Sequence, residues 1–165
     1  MFFWFIATSI WSVWFVFRDP KFDYRLLAIA ALIPDFVDGL LLAFGMAHNV
    51  MHSVVTSIAV LFAIMIATAG RRPIRQRLLA IPIGLFMHLI YDGAFTITKT
   101  FWWPLTGTAV NDKSLPSIER GLVNLPLELF GIVTCIVAWR YFALSNTHRR
   151  HAFLKTGSLN RGDVK

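Results

Sequence analysis

Cysteine is almost missing from this chain: Cys135 is the single one, so no disulfide can close within it. Its place in an apolar run fits a packing thiol rather than a reactive one, and the redox compartment is unreadable from it. Acidic residues are scarce as well, nine Asp and Glu against sixteen Lys and Arg, a formal charge of +7. An excess of that kind spread over a polar face would suggest a nucleic-acid partner. Here the basic residues fall in the gaps between apolar runs, which excludes that reading and makes them an orienting signal for membrane insertion. There is no Gly-rich nucleotide loop and no internal repeat.

What is abundant is apolar side chain. Hydrophobic residues make up 56% of the 165 positions, and the mean hydropathy is +0.61. Soluble domains carry roughly 45–50% apolar residues, and a soluble fold of this size lacks the interior to hide more. Lipid covers such residues without a water-excluding core. The expected fold is therefore all-α, a polytopic integral membrane bundle of about five transmembrane helices in a bacterial inner or plasma membrane. One helical domain spans residues 1–145, and a basic, disordered cytoplasmic tail is expected over 146–165.

Five apolar stretches carry this reading: Phe2 to Phe17, Leu26 to Ala47, Val50 to Ala69, Leu78 to Ile97, and Gly121 to Leu144. Most approach the ~20 residues needed to cross the hydrocarbon as helix. The first is short, but it lacks the basic flank and small-residue cleavage site of a signal peptide. Cytoplasmic loops collect Lys and Arg. Arg18, Lys21 and Arg25 follow the first stretch, Arg71, Arg72, Arg75 and Arg77 the third, and Arg149, Arg150, Lys155, Arg161 and Lys165 the fifth. The alternate loops are poor in charge, so the expected orientation is N-terminus out and C-terminus in. Phe101, Trp102, Trp103 and Pro104 lie just past the outer end of the fourth stretch, where aromatic rings favour the headgroup level.

Within these runs stand residues that lipid disfavours. A charged side chain at the centre of a span costs ~2.5–3.5 kcal/mol even on lenient insertion scales, so such residues mark a polar interior. Asp35 and Asp38 lie in the second stretch, His52 opens the third with His48 just ahead of it, His88 and Asp92 lie in the fourth, and Glu128 lies in the fifth. Counted at ~1.5 Å of rise per residue, all fall between the bilayer midplane and its outer face. His88 and Asp92, four apart, share one helix face, as do Asp35 and Asp38, and as do His48 and His52 if the third helix starts early enough. An imidazole and a carboxylate one turn apart form a foothold for a divalent ion such as zinc, with ligands at ~2.0–2.2 Å. Each pair has a plainer reading beside it, which for His88 and Asp92 is a purely structural interhelical hydrogen bond. Asp35 follows Pro34 and Asp38 precedes Gly39, which suits a helix that breaks and restarts with an Asp cap. His48 and His52 suit interfacial hydrogen bonding, and Glu128 suits helix packing against Arg120 or Asn124.

Taken in order, LIPDFVDG (32–39), HNVMHS (48–53), HLIYDG (88–93) and FWWP (101–104) resemble the motifs of the YdjM-type family of membrane-bound metal-dependent hydrolases. The resemblance covers Leu32 to Pro104. It implies that Asp35 and Asp38 form an acidic pair, His48 and His52 an imidazole pair, and His88 and Asp92 a deep pair, together the metal ligands. It also implies a distant relation to zinc-dependent phospholipases C.

These readings converge on a metal-assisted hydrolase holding one or two divalent ions, zinc first among them, with Asp38 or Glu128 as the general base. Its substrate is an ester or phosphoester, lipid-linked ones included, met at the extracytoplasmic side, with Trp102 and Trp103 lining the entrance. Two other classes remain open. One is a small transporter relaying metal ions or protons through the Asp and His residues, against which the inner halves of spans three and five are apolar save Thr68 and Arg140 near their ends. The other is a structural membrane protein using a metal as a staple. The expected partners are membrane lipid and substrate, not nucleic acid.

Overall fold

The computed structural model describes residues 1–19, 21–44, 50–107 and 120–159, and among these there are helices and turns but no strand. In chain order the helices are α1 (Phe2–Phe17), α2 (Tyr24–Ala30), α3 (Ile33–Ala43), α4 (Val54–Ala67), α5 (Arg72–Leu78), α6 (Ala80–Tyr91), α7 (Thr98–Phe101), α8 (Asn124–Tyr141) and α9 (Thr147–Thr156). Short 3-10 turns at Ala94–Thr96 and Gly121–Val123 follow α6 and lead into α8.

Local chemistry sets the helix ends. Ser53 caps α4 by accepting from the Val55 N–H, as expected of a hydroxyl ahead of an apolar run. Asp23 caps α2 through the N–H groups of Arg25 and Leu26. Burial alone would raise the Asp23 carboxyl, but the Arg25 guanidinium and those backbone donors outweigh it and hold it below the usual carboxylate range. The apolar run from residue 24 to 43 is broken at Ala31 and Leu32, and Pro34 stands in the first turn of α3. A proline there has no donor to lose to the helix ladder, which suits a restart.

Helix α1 packs along α8 and also touches α2 and α6, while α2 and α4 both lie on α6. Two glycines set how close these helices come. A Cβ on Gly84 of α6 would stand 2.6 Å from the Ala30 Cβ and 2.7 Å from the Leu27 carbonyl oxygen, so α6 and α2 touch nearly backbone to backbone. A Cβ on Gly131 of α8 would overlap the backbone of Phe3 and Trp4 in α1. Glu128, one turn before Gly131, accepts from the backbone N–H groups of Phe2, Phe3 and Trp4 and so caps α1 from a neighbouring helix.

The bundle has two unlike ends. At the end that carries the basic loops, Trp14, Phe22, Tyr24, Leu27, Phe142 and Leu159 belong to one buried apolar cluster. The polar residues gather at the other end. Apolar side chains also cover the outside: Phe15, Val16, Phe62, Ile66, Leu125, Leu129 and Val133 are all exposed. Two helical segments, Tyr24–Ala43 and Gly121–Tyr141, are long and apolar enough to cross a membrane, and Phe2–Phe17 and Val54–Ala67 are apolar but shorter.

The tail departs from expectation. Residues expected to be disordered form α9, capped by the Asn146 side chain at its start and by Gly157 at φ 73° at its end. Its anchor is local: the Gly157 carbonyl accepts from the Tyr24 N–H at 2.9 Å, Arg25 donates to the Leu154 carbonyl, and Leu159 is buried in the apolar cluster. A basic sequence read as solvated is thus held by the α1–α2 turn.

Candidate metal centre

The centre is assembled from three helix boundaries. His88 lies in the last turn of α6 and Asp92 is its C-cap residue. Asp35 lies in the first turn of α3 and makes no cap hydrogen bond, so the capping reading of LIPDFVDG does not hold for it. His52 sits in the turn before α4, which starts only at Val54. The close α2–α6 crossing at Gly84 brings His88, one turn further on, against the break after Ala31.

Three ligand-type atoms converge there, and a fourth lies beside one of them. His52 Nε2 lies 3.2 Å from His88 Nε2, Asp35 Oδ1 lies 3.4 Å from each of the two, and Asp92 Oδ2 lies 3.7 Å from His52 Nε2. Asp35, His52 and His88 can together hold a metal ion. Around a tetrahedral zinc with ligands at ~2.0–2.2 Å, neighbouring ligand atoms stand ~3.3–3.6 Å apart, close to the 3.2 and 3.4 Å among Asp35, His52 and His88.

The hydrogen bonds behind the rings fix their tautomers. His88 Nδ1 is 2.7 Å from the Ala31 carbonyl oxygen, which can only accept, so this nitrogen carries the proton. His52 Nδ1 is 2.7 Å from Asp38 Oδ2, and both Asp38 oxygens also accept from the Met51 N–H. Asp38 is thereby an acceptor, and His52 Nδ1 is the donor. Both Nε2 atoms then present lone pairs to each other and to Asp35 Oδ1, while Asp92 Oδ2 lies beside His52 Nε2, and neither carboxylate oxygen has a hydrogen-bond partner among the described residues. Three acceptors face one another with no donor between them, an arrangement that is costly unless a cation completes it. One extra proton on a ring satisfies a single contact, whereas a divalent ion satisfies all three.

Burial differs sharply within the set. The side chains of His52, His88 and Asp92 are 0% exposed and that of Asp35 is 26% exposed. The Phe5 ring of α1 covers the His88 imidazole at a centroid distance of 4.1 Å. Beside Asp35 a concavity of about 470 Å³ opens, walled by Phe2, Ile29, Leu32, Ile33 and Phe36. Ser53 donates to the Trp103 carbonyl and lies 3.3 Å from that of Phe101, which ties the aromatic turn to the start of α4.

Of the residues singled out in the sequence, Asp35, His52, His88 and Asp92 come together. Asp38 stands behind His52, fully buried, and reaches the cluster only through the imidazole. That arrangement removes it as a ligand and as a base open to substrate. Glu128 caps α1 from α8, so it serves helix packing, with α1 as the partner and Arg120 paired to Asp92 instead, and it stands apart from the cluster rather than as its base. His48 lies outside the described residues. Trp102 and Trp103 do not line the opening beside Asp35. Arg120 is the residue the sequence reading missed as a member of the site: it donates to the Asp92 backbone carbonyl and, at 2.8 Å, to Asp92 Oδ1, leaving Oδ2 for the cluster. Its only signal is an Arg at the threshold of an apolar run. Comparison with protein-family models, curated proteins and solved structures finds no match to this chain.

Proposed function

We propose that this chain is an integral membrane, metal-dependent hydrolase acting on an ester or phosphoester, with zinc as its metal. The observation that carries the reading is the convergence of two imidazole lone pairs and Asp35 Oδ1 at tetrahedral spacing, with Asp92 Oδ2 beside His52. His52, His88 and Asp35 would hold the ion and leave the fourth position open to water, and the order of motifs that resembles the YdjM-type family is in keeping with that set. Asp38 and the Ala31 carbonyl orient the rings, and Arg120 orients Asp92. A divalent ion bound there supplies Lewis acidity and lowers the pKa of water towards ~7. Asp35 is the member of the set that also reaches the surface, so substrate would meet the ion from its side.

The membrane part of the proposal is a five-span bundle with N-terminus out and C-terminus in, built from α1, α2 with α3, α4, α6 and α8. It is supported by the apolar exterior and by the Lys and Arg asymmetry of the loops. A transporter needs polar groups through the whole thickness. The end of the bundle opposite the cluster is filled by the cluster of Trp14, Tyr24, Leu27 and Phe142, which supports a closed site.

Elemental analysis of the full chain, purified without chelators, tests this. The expected result is near-stoichiometric divalent metal, chiefly zinc, lost in His52→Ala and His88→Ala, together with metal-dependent release from a panel of esters and phosphoesters. Wild-type protein free of metal, or release that persists unchanged in both variants, would refute the proposal.

A further inference from the structure

Three walls of the centre are closed and one is not. His52, His88 and Asp92 are sealed, and the only side chain of the set that reaches the surface does so through Asp35. The surface reached there is the concavity of about 470 Å³ between the first turn of α1 and the α2–α3 break. Its other walls, Met1, Phe2, Ile29, Leu32, Ile33 and Phe36, have apolar side chains that offer no hydrogen-bond donor. Ile29 is 59% and Phe36 71% exposed, so the mouth is rimmed by apolar side chains. A small water-soluble ester gains nothing from such walls, whereas an alkyl chain gains from each methylene it buries.

We infer that the substrate of this centre is a single-chain or diacyl amphiphile whose alkyl chain lies along Phe2, Ile29, Ile33 and Phe36 and whose anionic ester head meets the cluster at Asp35, reached sideways from the lipid. This rests on the hydrolase reading for the head and on the groove alone for the chain. The polarity gradient fixes the direction of the substrate: one carboxylate at the deep end, hydrocarbon along the length. Leu32 and Ile33 stand at the break that also frees the Ala31 carbonyl for His88, so the same interruption shapes the groove and orients a ligand.

The test uses the zinc-loaded full chain in phosphatidylcholine nanodiscs and a dodecyl phosphate with a terminal diazirine, with labelled residues mapped by mass spectrometry after irradiation. Label is expected to concentrate on Phe2, Ile29, Ile33 and Phe36. Hexyl, octyl and decyl phosphate should displace it in rising order, by up to about fourfold per methylene, and methyl phosphate only at far higher concentration. Ile33→Trp should block labelling and Phe36→Ala should weaken it, both with wild-type zinc content. Phe36 is largely exposed, so its variant carries the test if Ile33→Trp does not fold. Label distributed over outward side chains such as Phe62 and Val133 in proportion to their exposure, or equal displacement by methyl and decyl phosphate, would overturn the inference. Groove labelling in a protein that binds no zinc would keep the chain site and sink the hydrolase. Zinc-dependent turnover with uniform labelling would do the reverse.

Discussion

A carboxylate behind an imidazole holds the ring in one tautomer and raises the basicity of the nitrogen on its far side. Asp38 stands in that relation to His52, at 2.7 Å from Nδ1 and with no exposure of its own. Asp38→Asn keeps the shape but replaces an acceptor oxygen or presents an amide to the ring, so zinc affinity should fall about 10–100-fold. His52→Ala should abolish binding. Competition against a chelator of known affinity measures both, and an Asp38→Asn variant as metal-free as His52→Ala would make Asp38 a ligand after all. Depth and spacing in the sequence sufficed to single out Asp35, His52, His88 and Asp92, because ionisable groups in apolar runs are rare and a three- or four-residue interval fixes a helix face. They could not say which oxygen faces which nitrogen. Asp38 and Asp35 look alike at that level, and the Ala31 carbonyl that orients His88 has no side-chain signature at all. Arg120 is 28 residues from Asp92, and only the fold brings the two together.

At the level of elements, the centre depends on how closely α6 lies on α2. Gly84 permits that approach, and the space its missing side chain leaves is already filled by Ala30 and the Leu27 carbonyl. Gly84→Val should force the helices apart and destabilise the fold by about 1–3 kcal/mol, the usual cost of overpacking. Because His88 follows Gly84 by one turn, zinc affinity should drop as well, although no ligand has changed. Thermal unfolding and metal titration check the two effects, and a variant with wild-type values in both would show that the crossing is not close. The helical character of these stretches was plain from their apolar runs. Their limits were less so: α4 starts at Val54 rather than Val50 because Ser53 caps it, and the run from 24 to 43 is two helices because Pro34 starts the second. The tail misled for a related reason. Its composition is that of a solvated segment, and Leu159 and Gly157 find their partners only in the folded chain.

At the scale of the whole molecule, the distribution of Lys and Arg over the loops predicts an orientation. With Cys135 replaced by Ser, a membrane-impermeant thiol reagent applied to intact cells should label Ser114→Cys and spare Arg75→Cys, since the loop with four Arg residues belongs inside. The opposite pattern would invert the topology and turn the centre towards the cytoplasm. The link between Glu128 and α1 bears on something else, the order in which the protein can be made. The first N–H groups of α1 are satisfied by a carboxylate encoded more than a hundred positions later, and α1 packs chiefly against the helix that bears it. On the proposed five-span reading, α1 would stand in lipid before Glu128 is made with polar donors unanswered and its packing face bare, a state lipid penalises. Phe5, which covers His88, settles only when α1 does. Helix α1 therefore finds its place only after α8 has been made, and a chain ending before Glu128 lacks both the cap of α1 and the packing that seats Phe5 over His88.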